Sequence, residues 1–452
     1  MRGGGYTLSI PSLHDNKRTG WSDELNALCD LLRDGKEFGS IIDMPQMDWA
    51  SLRMEVERLD DEIGQISFAS IDENTRRKLR RLIDVGEIMA QKYDVVCTNP
   101  PYMGASGMNA KLSDYVKAYY PDSKSDMSTV CMERCMSMCK EHGYMAMLNI
   151  PVWMFLSSYE KLREKQLKSN TYISMVHPGR GVFGSDFGTT AFVMSKKRVN
   201  GYVGSYRRLF DKQGEVESNE VREQQFLSGK GAFTARQDNF AKIPGAPVAY
   251  WVSEAGFRTF DAPDFSHTFV SGGRNKTHNN EKYVRAWWEV LNNAMRWQPY
   301  SNGGVYRKWY GNNIDVVDWS PQARESYASH GGLIHQEYWN IPAITWNDIT
   351  SGLSSYRIKP INSKYSSVSP TLISITGKYD FTMLAFLNSK ASTWLNAITN
   401  PTMHTLVGNV LSFPNRIGEI NVDESAEKCV ELSQADWDSY ETSWDFKRHP
   451  LL

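Results

Sequence analysis

The spacing of hydrophobic positions changes twice along this chain, and each change marks a different kind of structure. Between residues 50 and 91 apolar side chains recur at helical spacing: Leu52, Val56, Leu59 and Ile63 in "ASLRMEVERLDDEIG", then Leu79, Leu82, Ile83 and Ile88 in "NTRRKLRRLIDVGEIMAQ". Two amphipathic helices are predicted there. The second carries Arg76, Arg77, Lys78, Arg80 and Arg81, a cluster that fits a solvated helix face better than a phosphate contact. From Tyr93 the pattern becomes strand, helix, strand. "YDVVCT" and "YMAMLNIP" read as buried strands around a helix over "SDMSTVCMERCMSMCKEHG" closed by Gly143; the helix "SYEKLREKQL" and the strands "YISMVHP" and "TTAFVMSK" follow. Such alternation predicts an open α/β sheet with functional residues beyond its strand ends. After about Gly201 periodicity fades into aromatic, Asn- and Gly-rich stretches such as "RWQPYSNGGVYRKWYGNN" and "QEYWNIPAITWN", which predict a separate mixed domain of loops and short strands.

Composition narrows the class. With 452 residues, 41% hydrophobic and 23% charged, the chain reads as an ordinary globular protein with room for two or three domains. No apolar run is long enough for a membrane span and no apolar leader opens the chain, so neither a membrane protein nor a secreted one is expected. The six cysteines lack a disulfide-framework spacing, which predicts free thiols in a reducing cytoplasm. Cys131, Cys135 and Cys139, followed by His142, fall on one stripe of the predicted helix; thiols spread along a stripe do not converge on one ion, so no metal is expected. The net charge of −1 conceals an asymmetry: His267 to Ser366 holds 11 Lys/Arg against 7 Asp/Glu, and Ile417 onward holds 3 against 9. A basic block ahead of an acidic end is compatible with a polyanion-binding domain.

The sharpest chemical signal is "TNPPYMG", at the end of the first predicted strand. An exocyclic amine on a nucleobase is a poor nucleophile, and methylating it requires acceptors that hold its N–H groups. The Asn99 side-chain carbonyl and the Pro100 backbone carbonyl supply two. Pro100 and Pro101 stiffen the turn without adding competing donors, and Tyr102 offers a ring on which an extruded base can stack. The bland reading is a strand end followed by a core tyrosine; the buried strand in front favours function.

"TNPPYMG" resembles motif IV of the amino-group methyltransferases that use S-adenosylmethionine. The later "GVFGSDFGTTAFVMS" is similar to the adenine-methyltransferase segment in which an aromatic, here Phe183, packs the flipped adenine; a core role for Phe183 is the alternative. "FTARQDNFAKIPGAPVAYW", "NNEKYVRAWWEV", "GGVYRKWYGNN" and "WDSYETSWDFKRHPLL" together resemble the PglX-type adenine methyltransferases of bacterial phage-exclusion (BREX) systems, from about Tyr93 to the last residue. The resemblance implies a site-specific DNA adenine-N6 methyltransferase with double-stranded DNA and other phage-defence subunits as partners. It also implies a partial Rossmann-like methyltransferase sheet followed by a mixed α+β target-recognition domain. Members of that family are longer and carry a glycine-rich cofactor motif. Gly3, Gly4 and Gly5 follow no strand and open no helix, so S-adenosylmethionine is the expected cofactor while its binding by this chain alone is doubtful.

The expected organisation is 1–92 as an incomplete N-terminal part of the methyltransferase domain, 93–200 as its substrate half, 201–265 as a connector, 266–418 as the target-recognition domain and 419–452 as an acidic C-terminal segment. Arg307 and Lys308 are candidates for neutralising phosphates, with Arg274 and Arg285, and Asn312 and Asn313 for reading adenine edges. "SGGRNKT" (Ser271 to Thr277) lacks P-loop spacing and is either a phosphate contact or an inert loop. Two other functions stay open: a non-catalytic DNA-recognition subunit, and a protein- or RNA-methylating enzyme, which the aromatic C-terminal region fits less well.

Overall fold

The computed structural model describes residues 21–59, 73–183, 188–211, 216–273, 275–290, 295–350, 352–400, 404–418, 420–449 and 451–452. Gly3 to Gly5, Ile63 and Arg274 lie outside the described residues. The chain divides into two units, Met1–Asp238 and Asn239–Leu452. That division falls inside the 201–265 stretch read as connector.

In the first unit, helices Asp23–Leu31, Trp49–Arg58 and Glu73–Ala90 pack around Leu25, Leu28, Leu52, Val56, Leu79, Leu82 and Ile83. Most of the predicted stripes are therefore buried. Ile88 is not, at 57% exposure: nine positions beyond Leu79 it has turned about half a revolution away from it. Gly86 lets the helices approach, since a Cβ there would come within 3.0 Å of the Trp49 ring. Of the basic cluster, Arg77 and Arg81 are exposed, Lys78 and Arg80 half-buried and the Arg76 side chain mostly buried; Arg80 pairs with Glu57 and Glu73, and Arg76 with Glu73.

A six-stranded sheet follows in the order β1-β2-β4-β3-β5-β6, with β1 Tyr93–Thr98, β2 Cys139–Asn149, β3 Thr171–Arg180, β4 Gly188–Ser195, β5 Val203–Arg208 and β6 Ala232–Arg236. β1 and β2 are parallel, as are β3 and β5; the other pairs are antiparallel. β5 and β6 thus extend the sheet beyond residue 200. One face, carrying Met145, Met147, Phe192, Met194, Tyr172, Met175 and Tyr206, is buried. Trp153 lies against Tyr172 and Phe192 there, with ring centroids 6.1 and 5.3 Å away.

The helix expected to run to Gly143 stops at Met138, and Cys139 opens β2. Its C-cap is Cys139 in extended conformation (φ −69°, ψ 147°). The strand's pairing with β1, from Tyr93 opposite Cys139, outweighs the helical spacing of the thiols. Cys131 and Cys135 are pushed up to about 11 and about 12 by burial, which leaves them protonated and unreactive.

Among its described residues the second unit holds two four-stranded sheets. Its strands are β7 Phe269–Ser271, β8 Val284–Ala286, β9 Trp297–Ser301, β10 Asp315–Asp318, β11 Ala343–Thr345, β12 Arg357–Lys359, β13 Lys364–Tyr365 and β14 Thr371–Ser374. One sheet runs β13-β9-β10-β8 and the other β12-β11-β14-β7. The main core gathers Phe265, Phe269, Ile344, Trp346, Tyr356, Leu372, Leu384, Leu395 and Phe413. Val430 and Trp437 join it from the helix Asp423–Trp437, so the acidic C-terminal segment contributes to this unit's core. Among the described residues no helix is long and apolar enough to cross a membrane.

Candidate active site

β1 and β2 run parallel with Thr98 opposite Met147, so both end at the same edge of the sheet. β4, antiparallel to β2 with Thr190 opposite Asn149, enters there; β3, antiparallel to β4 with Arg180 opposite Gly188, leaves there. Strand directions alone thus gather Asn99–Tyr102, Asn149–Pro151 and Arg180–Phe183 along one edge. This is where open α/β sheets place ligands.

Within the first group Asn99 and Pro101 are exposed, Pro100 is buried and Tyr102 is half-buried. The Tyr102 hydroxyl donates to Asn99 Oδ1 at 2.7 Å and lies 3.3 Å from the Leu148 carbonyl oxygen. The tyrosine therefore fixes the side-chain carbonyl that the sequence assigns to the amine. An sp² oxygen has two lone pairs, so this bond leaves Asn99 able to accept one more. Burial raises the Tyr102 pKa above its ordinary value, which keeps the hydroxyl a donor.

The loop beyond Tyr102 is anchored. Met127 N–H donates to the Met103 carbonyl at 2.9 Å and Ala105 N–H to that of Ser125 at 3.0 Å. Asp126 caps the helix Met127–Met138 by accepting from Ser128 N–H at 2.8 Å. Asn149, fully buried, donates to the Ser128 carbonyl at 3.3 Å and accepts from Ile150 N–H at 2.7 Å. Its backbone carbonyl accepts from the Thr190 hydroxyl at 3.1 Å.

At the β3 end Arg222, 5% exposed, donates through Nε to the Pro178 carbonyl at 3.0 Å and through Nη2 to that of Arg180. Phe183 follows that clamped end and is 62% exposed, so it is not a core residue. Sequence reasoning missed Asn149 and Arg222. Asn149 had a signal, a second asparagine and proline at a strand end; Arg222, in the polar helix Asn219–Ser228, had none.

In the second unit the residues proposed to meet DNA do not form one free basic face. Arg285 Nη1 donates to the Glu281 and Val284 carbonyls at 2.5 and 2.6 Å. Arg307 pairs with Asp436 and stacks over Trp437, 5.0 Å from the ring centroid. Lys308 donates to the Asn388 carbonyl at 2.8 Å. Asn312, in left-handed conformation (φ 60°) and 9% exposed, donates to the Val305 carbonyl at 2.8 Å, and Asn313 Nδ2 is buried.

Residues 25–183 match the family model "Eco57I restriction-modification methylase". The adenine-specific methyltransferase PglX of Lacticaseibacillus casei (strain Zhang) is 33% identical over 453 residues, covering 92% of this chain and 37% of that protein. The adenine-specific methyltransferase BrxX of Escherichia coli O9:H4 (strain HS) is 31% identical, covering 93% and 36%. The chain therefore spans little more than a third of the length of these curated relatives. Among solved structures, the Type IIL restriction-modification enzyme MmeI in complex with DNA aligns with a TM-score of 0.47 at 10% identity, over 88% of this chain and 57% of that one. Over more than nine tenths of its own length the chain is a relative of the PglX and BrxX adenine-specific methyltransferases, and residues 25–183 within it match the Eco57I restriction-modification methylase family.

Proposed function

We propose that this chain carries the base-holding and DNA-recognising parts of a site-specific DNA adenine-N6 methyltransferase of a phage-defence system, with S-adenosylmethionine as methyl donor. The observation that carries this reading is the Asn99 side chain, exposed at the strand-end edge with its carbonyl oxygen fixed by Tyr102. Asn99 Oδ1 and the Pro100 carbonyl accept the two N–H groups of the extruded adenine amine, which directs the nitrogen lone pair out of the ring plane. The Tyr102 ring stacks on the base, and the exposed Phe183 closes over it from the β3 end. When bound, the donor supplies an electrophilic methyl group.

Among the described residues β1 has one neighbouring strand, β2. The second reading is a DNA-recognition subunit that does not catalyse by itself. Domain roles follow the same proposal: the sheet around 93–200 holds the base, and the second unit, including 266–418, reads double-stranded DNA. Phosphate contacts by Arg285, Arg307 and Lys308 would exchange the intramolecular bonds described above, and base contacts by Asn312 and Asn313 would use the side-chain atoms those bonds leave over, Asn312 keeping Nδ2 on the Val305 carbonyl. Other phage-defence subunits are the expected protein partners.

The test is incubation of the chain with duplex DNA and S-adenosylmethionine, followed by mass spectrometry of the nucleosides. N6-methyladenine that disappears in Asn99→Ala supports methyl transfer; DNA binding without any methylated base in the wild type supports recognition alone.

A further inference from the structure

The stretch Asn302–Tyr306 directly follows β9 in the second unit, and almost every peptide in it is pinned by a side chain from elsewhere. Gly303 N–H donates to the Ser369 hydroxyl at 2.7 Å, and the Gly303 carbonyl accepts from Arg357 Nη2 at 3.2 Å. The Gly304 carbonyl accepts from Asn347 Nδ2 at 2.6 Å and the Val305 carbonyl from Asn312 Nδ2 at 2.8 Å. Asn302 Nδ2 donates to Asp315 at 2.9 Å. Gly304 has φ 126°, and a Cβ there would sit 2.5 Å from Asn312 Cγ, so only glycine fits. A loop held this firmly nevertheless presents its apolar side chains to solvent: Val305 is 69% and Tyr306 55% exposed. Val368, packed beside Gly303, is 45% exposed. An apolar tip kept rigid in water is a mark of a preorganised contact surface.

Three basic side chains are buried on β12 and β13. Arg357, Lys359 and Lys364 are 2%, 0% and 4% exposed. Their polar contacts are to neutral groups: Arg357 to Gly303 and Asn347, Lys359 to the Pro360 and Ser363 carbonyls, Lys364 to Asn340. Arg357 Nη1 is buried without a hydrogen-bond partner among the described residues. β13, which carries Lys364, pairs with β9 immediately before the loop. Two carboxylates border it: Asp315 is bonded to Asn302, with burial raising its pKa, and Asp348 faces His404 at 3.3 Å. Burial pushes Lys359 down to about 7, so near neutral pH the charge rests mainly on Arg357 and Lys364; with no carboxylate partner among the described residues, these project a positive potential on the surface above them. Asn302 and Val368 also line a cleft of about 370 Å³ that reaches Lys276 and His278, at the end of the "SGGRNKT" stretch.

We propose that Asn302–Tyr306 is the element of this chain that enters a DNA groove, with Val305 and Tyr306 against the bases and buried Arg357 and Lys364 drawing in the phosphates. This rests on the DNA-binding reading above. It adds the loop that Asn312 supports to the reading surface of the Arg307–Asn313 segment.

The experiment uses the full chain and a randomised duplex library, with selected and unselected duplexes then titrated by fluorescence anisotropy. The wild type enriches a sequence. Val305→Ser/Tyr306→Ala is expected to lose the enrichment and to bind the selected duplex roughly ten- to a hundred-fold more weakly, with unchanged affinity for unselected duplex and unchanged thermal unfolding. Tyr306→Phe, which keeps the ring, retains enrichment. If the double variant enriches the same sequence at wild-type affinity, the loop is not the reader and the inference falls while the DNA reading stands. If the wild type binds no duplex at any salt concentration, both fall.

Discussion

Replacing Tyr102 separates the two roles given to it, because its hydroxyl and its ring act on different partners. The hydroxyl has one hydrogen, shared between Asn99 Oδ1 at 2.7 Å and the Leu148 carbonyl at 3.3 Å. Tyr102→Phe removes one hydrogen bond, and exposed Asn99 regains water, so the loss of stability is at the low end of about 0.5–1.5 kcal/mol. The ring remains to stack. Tyr102→Ala removes the ring as well, and with it base stacking of about 1–3 kcal/mol, which at about 1.4 kcal/mol per tenfold is roughly 5- to 150-fold in the extrusion equilibrium. The assay is 2-aminopurine fluorescence in duplexes carrying that base in place of single adenines of a selected sequence. Expected amplitudes are near wild type for Tyr102→Phe and strongly reduced for Tyr102→Ala. Because burial raises the Tyr102 pKa, the hydroxyl stays protonated and the wild-type signal is flat between about pH 6 and 9. Equal loss in the two variants would refute the stacking role, since it would place the whole effect on the hydroxyl.

Asn99→Ala should leave duplex affinity within about two-fold while lowering any methyl transfer by about a hundred-fold or more, read as N6-methyladenine per mole of DNA. Burial pushes Lys359 down to about 7, against about 10.4 in an unfolded chain. The unfolded state then binds the extra proton between those values, so stability rises with pH across that window, by at most roughly 5 kcal/mol. The carbonyls around Nζ favour the charged form and reduce this; chemical denaturation of Lys359→Met should show a flatter pH profile than wild type. Gly231 has φ +72° and a Cβ there would fall 2.0 Å from the Arg208 carbonyl oxygen, so Gly231→Ala should cost about 2–4 kcal/mol by thermal or urea unfolding. Residues 239–452 should unfold as a cooperative unit by calorimetry, whereas residues 266–417, which lack Val430 and Trp437 of the core, should not.

Features that depend on neighbours along the chain were legible from the residues alone. β1 and its ending at "TNPPY" were legible because β-branched residues stop at two prolines, a local constraint on φ; its expected burial is not found, since every residue of β1 is half-buried or exposed, Val95 at 60%. The buried stripes of the helices Trp49–Arg58 and Glu73–Ala90 were legible because helical periodicity is a property of a dozen consecutive residues. Resemblance of long segments carried the family. Tertiary structure decided which strand ends meet. Asn99, Asn149 and Phe183 are up to 84 positions apart in sequence and share an edge only because β4 inserts between β2 and β3. It also decided where a helix yields to a strand: Cys139 continues the helical spacing of Cys131 and Cys135, yet pairing of β2 with β1 claims it. The basic and amide residues of 307–313 were read as a DNA surface from their charge, which is visible in a sequence, whereas their partners within the chain are not. Asp436, Trp437 and Asn388, more than 70 positions away, engage Arg307 and Lys308, while Asn312 turns back to hold Val305. Long-range pairing of this kind leaves no periodicity to read, and it appears only when the chain is folded.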